Sequence, residues 1–551
     1  MTNLQIADLL RNVAAAYELR DQNKNKFKMI AYQRAADAVE HATSELKDLW
    51  DEGKAEGVPG IGPSIAKHLG EIFKTGKSKH FEEVMKGLPP KIFELMKVPG
   101  VGPKTALKMI EEGNIPLEVS AELKKIEERP KRHLLPYTSV IAAEIINYMS
   151  VNKAVKKIDP LGSLRRQAST VGDIDISVAT DKPEEVLEFF TKYPKVQKVI
   201  EKGEHTASIM VPGGVQVDMM AQEKGSYGSL LQHFTGSKHH NIALREFALK
   251  QNLSLSEYGI KKAGKLQSFD NEKDFYRALG LDYIEPELRE NMGEIETAKE
   301  HRLPNLVELK DVRGDLQIHS SFDIETSHDL GVSSMEQVVN KAKQLEYEYI
   351  AFTEHNPSRS KHTHERIINL LKQKEEKVCE KDWGIKVFNG LEIDIMPDGT
   401  LPVPEAGLET LDFALVSVHG SFRLPKEDMT KRILSALAHP KVKIFAHPTA
   451  RKLQEREGIE LDWPRIFEFC VKNNKWLEIN ADPMRLDLPD NLVREAIKAG
   501  VKLSLGTDAH HMDGLNNMLW GVSVARRGWC EAKNIVNCLG LSEFEKEVIK
   551  K

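Results

Sequence analysis

Two aspartates, Asp173 and Asp175, interrupt an apolar, strand-like run in the segment VGDIDISVAT at residues 171–180. Residues i and i+2 of a β-strand point to the same face, so both carboxylates face one way while Ile174 and Ile176 pack behind them. A buried carboxylate is costly to desolvate unless a charge of opposite sign lies near it. The spacing therefore predicts a cation site.

A third carboxylate, Asp218, lies in the strand-like segment VQVDMM and would join the pair if the two strands are neighbours. Three carboxylates without a histidine favour Mg²⁺, a hard ion that keeps waters and binds substrate phosphates. Ahead of the pair, the turn GSLRR starts at Gly162. Its Ser163, Arg165 and Arg166 could hold a triphosphate by hydroxyl and guanidinium contacts. Together these groups indicate nucleotidyl transfer.

A second set of chemically active residues follows residue 313, at the ends of strand-like segments. Strands and helices alternate there over roughly 240 residues, which predicts a βα barrel, and barrels of this kind gather active-site residues at strand ends. Mixed histidine and carboxylate ligands suit Mn²⁺, Zn²⁺ or Fe²⁺ better than Mg²⁺, and adjacent ions can supply a hydroxide that attacks phosphorus. The candidate ligands are His319, His355, Glu392, His419, His447, Asp508 and His510.

A turn of similar sequence occurs twice in the N-terminal part, as VPGIGPSIA at residues 58–66 and VPGVGPKTA at residues 98–106. We expect its glycines to take positive φ, and the amides that open the next helix suit a phosphate oxygen. The turn resembles the helix-hairpin-helix motif, which holds the DNA backbone without reading bases. A helix connection without a ligand is the alternative. The expected DNA contacts are Gly60, Gly62, Gly100, Gly102 and Lys104.

Composition excludes several classes of protein. A chain of 551 residues should form three or four domains of about 150 residues each. We find neither an apolar run near the ~18 residues of a membrane span nor the pattern of a secretory signal. The four cysteines form no CxxC pair, and the net charge of −5 argues against coating nucleic acid by bulk positive charge. We expect a cytoplasmic, nucleoid-associated monomer that does not bind membranes.

The order of the first set of groups resembles the family X DNA polymerases. The chain has the Gly-Ser-x-Arg-Arg turn, an Asp-x-Asp pair, a single strand aspartate, and then HFTGSKHHNIALREFALKQNLSLSEYGI at residues 233–260. The resemblance implies that Asp173, Asp175 and Asp218 bind two Mg²⁺ ions. One ion activates the primer 3′-hydroxyl near Asp218, and the other carries the incoming dNTP. Gapped or primed duplex DNA would be the partner.

The same resemblance implies binding roles for residues around the aspartates. Those expected to hold the triphosphate come from the GSLRR turn, those that pack on the sugar come from the FTGS segment, and those that contact the minor groove come from the next helix. In that order the residues are Gly162, Ser163 and Arg166, then Phe234 and Gly236, then Asn241 and Arg245.

Two positions depart from the family pattern. His233 stands in the place of the tyrosine before the phenylalanine, which bears on discrimination against ribonucleotides. His68 stands in the register of the Schiff-base lysine of animal members, with Lys67 one place earlier. A shift by one residue turns a helical side chain by about 100°, so we do not expect lyase activity.

The C-terminal motifs resemble the polymerase-and-histidinol-phosphatase (PHP) domain, which implies a site for up to three metal ions and 3′–5′ exonuclease activity. Gln317 occupies the first ligand position in "LQIHS". The Ser-Asp-Gly segment that usually follows is altered, which leaves Asp329 or Asp323 as the carboxylate. We favour Asp329 because it keeps nearly the usual distance to a helix that should start near Ser334.

The expected architecture is a multidomain α/β chain: helical helix-hairpin-helix domains, a nucleotidyltransferase palm with a thumb, and a distorted βα barrel. Two other functions stay open, a small-molecule phosphatase of the histidinol-phosphatase type and a non-catalytic scaffold for DNA ends. The expected ranges are 1–90 and 91–145 for the two helical domains, 146–240 for the palm, 241–290 for the thumb, 291–312 for a linker and 313–551 for the PHP domain.

Overall fold

A computed structural model describes residues 3–40, 46, 50, 61–96, 98, 101–120, 123 and 132–549. The chain divides into two units, Met1–Pro130 with Gln454–Glu457, and Lys131–Leu453 with Gly458–Lys551. No helix within the described ranges combines the length and the apolar character that crossing a bilayer requires.

The described part of the N-terminal unit is helical. Leu10, Leu69 and Phe81 share one hydrophobic core, and Leu95 and Ala106 lie in a second, smaller one. The helices are α1 (Asn3–Glu40, interrupted at Asp21), α2 (Pro63–Thr75), α3 (Lys79–Met85), α4 (Lys91–Leu95) and α5 (Pro103–Glu111).

Gly62 and Gly102 directly precede α2 and α5, so both repeated turns lead into a helix, as expected. Their φ angles are −79° and −85°, so the expectation of positive φ is wrong at these two positions. A Cβ atom at either glycine would meet no atom of the described residues within 4 Å, so these residues leave space for a ligand at each helix start. Gly60 and Gly100 lie outside the described residues.

The palm region is a five-stranded sheet in the order β2-β4-β7-β6-β5, in which only β4 and β7 are parallel. Ile174, Ile176 and Val178 of β4 pack into a core with α6 and α8. The elements are β1 (His133–Leu134), α6 (Leu135–Met149), β2 (Lys157–Pro160), α7 (Gly162–Arg165), β3 (Thr170–Val171), β4 (Ile174–Ala179), α8 (Pro183–Thr191), β5 (Lys198–Lys202), β6 (Thr206–Val211) and β7 (Val215–Gln222).

The thumb region follows with a small antiparallel sheet, β8-β9-β10, against helices. Arg289 is fully buried there and pairs with Glu272, which also pairs with Arg165 of the palm. The elements are α9 (Tyr227–Thr235), α10 (Lys238–Leu249), β8 (Leu253–Ser256), β9 (Gly259–Lys262), β10 (Lys265–Gln267), α11 (Glu272–Ala278) and α12 (Glu294–Lys299).

The C-terminal region has eight parallel strands in two sheets, β11-β12-β13 and β14-β15-β16-β17-β18. The strands are β11 (Gly314–Ile318), β12 (Tyr349–Phe352), β13 (Lys386–Asn389), β14 (Glu392–Asp394), β15 (Ala414–Ser417), β16 (Val442–Phe445), β17 (Trp476–Asn480) and β18 (Leu503–Gly506). The helices are α13 (Met335–Gln344), α14 (His364–Cys379), α15 (Glu405–Leu408), α16 (Lys426–Leu437), α17 (Trp463–Lys472), α18 (Asp490–Ala499), α19 (Met518–Arg527) and α20 (Leu541–Ile549).

The expected alternation of strands and helices is present, but the strands of residues 314–506 form two separate sheets and do not close into a continuous hydrogen-bonded barrel. Single bridges join the sheets, Ile318 to Ala509 and His355 to Glu392. Most strand residues are buried on both faces, which is the pattern of a parallel sheet covered by helices. Trp476 lies in the core between the sheets. The chemistry-bearing residues therefore stand at adjacent strand ends.

Candidate active sites

The three palm aspartates come together at one edge of the sheet. Because β4 and β7 are parallel neighbours, Asp175 lies directly opposite Asp218. Asp173 precedes β4, and one carboxylate oxygen from each residue lies within 4.8 Å of the others. The expected strand pairing is confirmed, and the arrangement offers three oxygen ligands to a divalent cation.

The three carboxylates in this cluster repel one another. Burial, followed by the charges of Asp173 and Asp218, raises the pKa of Asp175 to about 7, although Arg166 lowers it. Asp218 is fixed from its own strand, because Gln216 Nε2 donates to its two carboxylate oxygens over 3.0 and 3.1 Å. A divalent cation would relieve the repulsion, so the cluster fits Mg²⁺. We did not predict Gln216 from the sequence, although its i−2 spacing places it on the same face as Asp218.

Gly162 brings the GSLRR turn against this cluster. Its φ is +57°, and an added Cβ atom would lie 2.4 Å from Asp175 Oδ2. The backbone N–H of Leu161 donates to the carbonyl oxygen of Asp175 over 2.8 Å. Ser163, half-buried in the short helix α7, follows directly. Glycine is therefore required at position 162 for conformation and for space.

The two arginines of the turn take different directions. Arg166 Nη1 donates to the carbonyl oxygen of Thr235 over 2.6 Å, and an added Cβ atom at Gly236 would lie 3.1 Å from that nitrogen. Arg165 instead pairs with Glu272 and donates to Thr235 Oγ1 over 2.5 Å. Arg166 thus lies between the GSLRR and FTGS segments, whereas Arg165 ties the palm to the thumb.

The predicted sugar and minor-groove residues lie at the junction of α9 and α10. Phe234 packs on a small core that includes Tyr227. Asn241 Nδ2 donates to the carbonyl oxygen of His233 over 2.6 Å, and Asn241 Oδ1 accepts from Gln232 over 3.0 Å. Asn241 thus fixes the backbone at His233, directly before the FTGS segment. The predicted minor-groove residue Arg245 is exposed one turn further along α10, and Lys104 of the N-terminal unit is exposed at the start of α5.

In the C-terminal region, Glu392 lies at the centre of the predicted ligands. Burial favours its neutral form, but His355, His319 and His447 together hold the pKa of Glu392 well below its usual range. The carboxylate is therefore ionised and shared by several neighbours. Its oxygens lie 2.8 Å from Gln317 Nε2, 2.9 Å from His447 Nε2, 3.3 Å from His319 Nε2, and 3.6 Å from both His355 Nδ1 and His419 Nε2.

His319 connects Glu392 to the remaining ligands. Its Nε2 lies 3.1 Å from Asp508 Oδ1, and its ring stacks on His510 with centroids 4.3 Å apart. Burial opposes a charge on His319, but Asp508 and Glu392 outweigh it and raise the pKa to about 10. Without a metal ion, the His319 imidazolium therefore balances these carboxylates. A bound ion would replace that proton.

His328 and Asp394 join this cluster, although we did not predict them from the sequence. His328 Nε2 lies 2.8 Å from Asp394 Oδ2, and His419 Nδ1 lies 2.7 Å from Asp394 Oδ1. Asp394 stands two residues after Glu392 on β14, so the strand period could have identified it. His328 lies in the altered loop, where no period applies.

The loop also contains the two alternative carboxylates, Asp329 and Asp323. Asp323 is exposed and accepts from the backbone N–H of Glu325 over 2.6 Å, which closes a local turn. Burial lowers the pKa of His510, and among the charges that oppose this shift is Asp329. Asp329 thus lies nearer the ligands. The helix α13 begins directly after its N-cap Ser334, as expected.

Gln317 does not present its oxygen to the cluster. Its amide donates to Glu392, and its Oε1 accepts from Asn480 Nδ2 over 3.2 Å. Arg485, also absent from the sequence prediction, is buried with Nε 3.4 Å from Asp508 Oδ2. The first ligand position therefore lacks the ring nitrogen that a histidine would supply.

The remaining ligands fit transition-metal ions. The buried atoms His355 Nδ1 and His510 Nε2 have no hydrogen-bond partner among the described residues, and both residues group with His319. Buried polar atoms are rarely left unpaired without a ligand. Imidazole nitrogens mixed with carboxylates suit Mn²⁺, Zn²⁺ or Fe²⁺.

Family models match four stretches of the chain. They are described as a helix-hairpin-helix domain for residues 1–78, a SAM-like helix-hairpin-helix tandem for residues 54–113, a DNA polymerase beta thumb for residues 230–290, and a PHP domain for residues 315–482. These matches define a polymerase of the beta type that is joined to a PHP domain.

Curated relatives extend this class to the whole chain. The chain is 32% identical to the "DNA polymerase/3'-5' exonuclease PolX" of Bacillus subtilis over 99% of both chains. It is 25% identical to the rat (Rattus norvegicus) "DNA polymerase lambda" over 52% of this chain and 56% of that protein. A "Probable phosphatase" of Caldicellulosiruptor saccharolyticus is 28% identical over 32% of this chain and 74% of its own. The chain belongs to the family X DNA polymerases that carry a PHP domain.

Proposed function

We propose that this chain is a DNA-directed DNA polymerase that fills short gaps during repair, and that its PHP domain is a metal-dependent 3′–5′ exonuclease or related phosphoesterase. The observation that carries the polymerase proposal is the convergence of Asp173, Asp175 and Asp218 beside the GSLRR turn. The similarity over the full length to the Bacillus subtilis protein supports both activities.

In the polymerase half, the three aspartates would hold two Mg²⁺ ions. Bound ions of this kind activate a hydroxyl nucleophile and stabilise charge on the leaving phosphate. Asp218, held by Gln216, would orient the primer end, and Arg166 would bind the triphosphate beside Gly236 and Ser163. Asn241 would set the position of the His233 backbone next to the sugar rather than contact the base pair itself, because both of its polar groups are engaged within the protein.

In the PHP domain, the histidine and carboxylate cluster would hold up to three ions of Mn²⁺, Zn²⁺ or Fe²⁺. Such ions generate a hydroxide that attacks a phosphodiester. Glu392 would help to hold these ions through both of its oxygens, because one faces His319 and the other faces His447. Arg485 would balance charge at Asp508, where Gln317 supplies no ring nitrogen.

The partners that we propose are gapped or primed duplex DNA and dNTPs. The repeated helix starts at Gly62 and Gly102 support backbone binding, since open amides at a helix start favour a phosphate. We also propose that the enzyme acts as a monomer in the cytoplasm, at the nucleoid.

Primer extension on a one-nucleotide gap tests both activities. A 5′-labelled primer is incubated with Mg²⁺ or Mn²⁺, with and without dNTPs, and its length is measured. We expect Asp175→Ala to abolish extension and His447→Ala to abolish shortening without dNTPs. The exposed residues Asp181 and His301 provide matched controls, Asp181→Ala and His301→Ala. A primer that is never extended would disprove the polymerase proposal.

The similarity to a probable phosphatase makes a small phosphomonoester the second candidate substrate of the PHP domain. The same preparation should release phosphate from histidinol phosphate if that reading is right. We expect instead that His447→Ala removes primer shortening and that the monoester is a poor substrate. The palm aspartates imply that the chain binds primer ends, which would then be the substrate of the PHP domain.

A further inference from the structure

Helix α19 joins the PHP domain to the polymerase half. Trp520 packs against both the C-terminal core and the palm core. Trp529, just after the helix, is buried in the thumb core. Ser523 Oγ donates to Gln167 Oε1 of the palm over 3.2 Å. The helix is therefore fixed against the polymerase half at several points.

The last residue of this helix, Arg527, contacts the turn that we expect to bind triphosphate. Its Nη1 donates to the backbone carbonyl oxygen of Arg166 over 2.7 Å and to Glu290 Oε1 over 3.0 Å. The same oxygen of Glu290 accepts from Arg166 Nε over 3.0 Å. Only 9% of the Arg527 side chain is exposed, and Asp490 binds its Nε and Nη2. The half-buried carboxylate of Glu290 is thus shared by two guanidinium groups.

Arg166 itself is held at two of its three nitrogens. Nε binds Glu290 and Nη1 binds the carbonyl oxygen of Thr235, whereas Nη2 makes no hydrogen bond to any residue that the structure describes. Nη2 is therefore available to a phosphate oxygen. If Glu290 acted on Arg166 alone, it would offset most of the positive charge that attracts a triphosphate, because charges interact strongly at partly buried sites.

We propose that Arg527 is a positioning residue of the nucleotide site, so that the PHP domain completes the triphosphate-binding site of the polymerase. Arg527 acts in two ways. It fixes the backbone of the turn by binding the carbonyl oxygen of Arg166, and its positive charge partly neutralises the Glu290 carboxylate. The ligand class is the triphosphate of an incoming dNTP, and the inference rests on the proposed role of Arg166. Loss of Arg527 should weaken dNTP binding more than it slows the chemical step.

The test measures KM for dNTP and kcat on a one-nucleotide gap with the full chain. We expect Arg527→Gln to raise KM by about tenfold, a usual size for coupling between sites, with little change in kcat. Arg527→Lys keeps the charge and a single donor nitrogen, so it should retain much of the affinity that Arg527→Gln loses. Primer shortening without dNTPs should stay at the wild-type rate, because Arg527 contacts Arg166, Glu290 and Asp490 and none of the predicted metal ligands.

Arg526→Gln is the matched control from the same helix. Arg526 binds Glu287 over 2.7 Å and the carbonyl oxygen of Val307 over 3.1 Å, so its loss weakens the same interface without touching Arg166. An equal rise in KM in both variants would overturn the proposal, because the effect would then come from docking in general.

A double-mutant cycle with Glu290→Gln tests the coupling directly, and Arg527→Lys serves in this cycle if Arg527→Gln folds poorly. Removing the carboxylate removes the charge that Arg527 offsets, so Arg527→Lys and Arg527→Gln should change KM less in that background. Fully additive effects would contradict the proposal. Arg166→Gln separates the two levels of inference. If it leaves KM unchanged, the proposed triphosphate role of Arg166 fails, whereas a rise in KM for Arg166→Gln but not for Arg527→Gln rejects only the role of Arg527.

Discussion

The side-chain amide of Gln317 donates a hydrogen bond to Glu392 over 2.8 Å, where the PHP family would place its first metal-binding histidine. Asn480 holds the other end of the amide over 3.2 Å. The Gln317 side-chain oxygen thus accepts from Asn480, and the nitrogen that faces Glu392 carries hydrogens and cannot bind a metal ion. The first metal position should therefore be the weakest in this chain.

Gln317→His should strengthen that position. A histidine supplies a neutral ring nitrogen, and we expect metal affinity to rise by about tenfold, together with faster primer shortening. Metal content after dialysis against Mn²⁺ measures the first effect. Gln344→His, an exposed change at the end of α13, is the control. No gain in metal content would show that Asn480 and Arg485 keep the position closed.

Mg²⁺ binding in the palm should depend on pH near neutrality. The pKa of Asp175 is raised to about 7 without metal, so the carboxyl is mostly protonated below that value and the ion must displace a proton. Apparent affinity should fall by about tenfold per pH unit below pH 7 and level off above it. Calorimetry in buffers of different ionisation enthalpy measures the released proton. Asp175→Asn should abolish the release, and release that is equal at pH 6 and pH 8 would contradict the assignment.

His328 should behave as a part of the PHP metal site. His328→Ala removes a ring 2.8 Å from Asp394, so we expect bound Mn²⁺ to fall and primer shortening to drop by about tenfold to a hundredfold while extension persists. Asp329→Asn should also lower metal content, whereas Asp323→Asn should not, because Asp323 only closes a local turn. An effect of Asp323→Asn alone would reverse this choice.

Gly162→Ala should inactivate the polymerase. The new Cβ atom would lie 2.4 Å from Asp175 Oδ2, which forces the carboxylate or the turn to move. A displacement of about 1 Å at a reacting centre costs on the order of a hundredfold in rate. Gly264→Ala is the control, since Gly264 also has positive φ, +84°, but an added Cβ atom there would meet none of the described atoms within 4 Å. Comparable losses of extension in both variants would attribute the effect to backbone strain instead of to Asp175.

Both sites could be predicted from the sequence to the extent that the strand period or the parallel arrangement of strands determines where a side chain lies. Asp173, Asp175 and Asp218 share one face of neighbouring strands, and the C-terminal ligands follow strand ends that a parallel arrangement brings together. Loops and side-chain directions have no such period. For that reason the sequence did not identify His328. It also did not show that Arg165 pairs with Glu272 instead of entering the nucleotide site. The predicted positive φ was wrong at both described helix-hairpin-helix glycines, Gly62 and Gly102.

Trp520 of the PHP domain packs against the palm core, and Trp529 is buried in the thumb core. Separating the PHP domain from the polymerase half would expose both tryptophans and the apolar surfaces that they contact to water. Heat should therefore melt the region 132–549 in a single cooperative transition, with both activities lost together. A lineage that no longer needed the nuclease would still have to retain this domain as a folding partner of the polymerase.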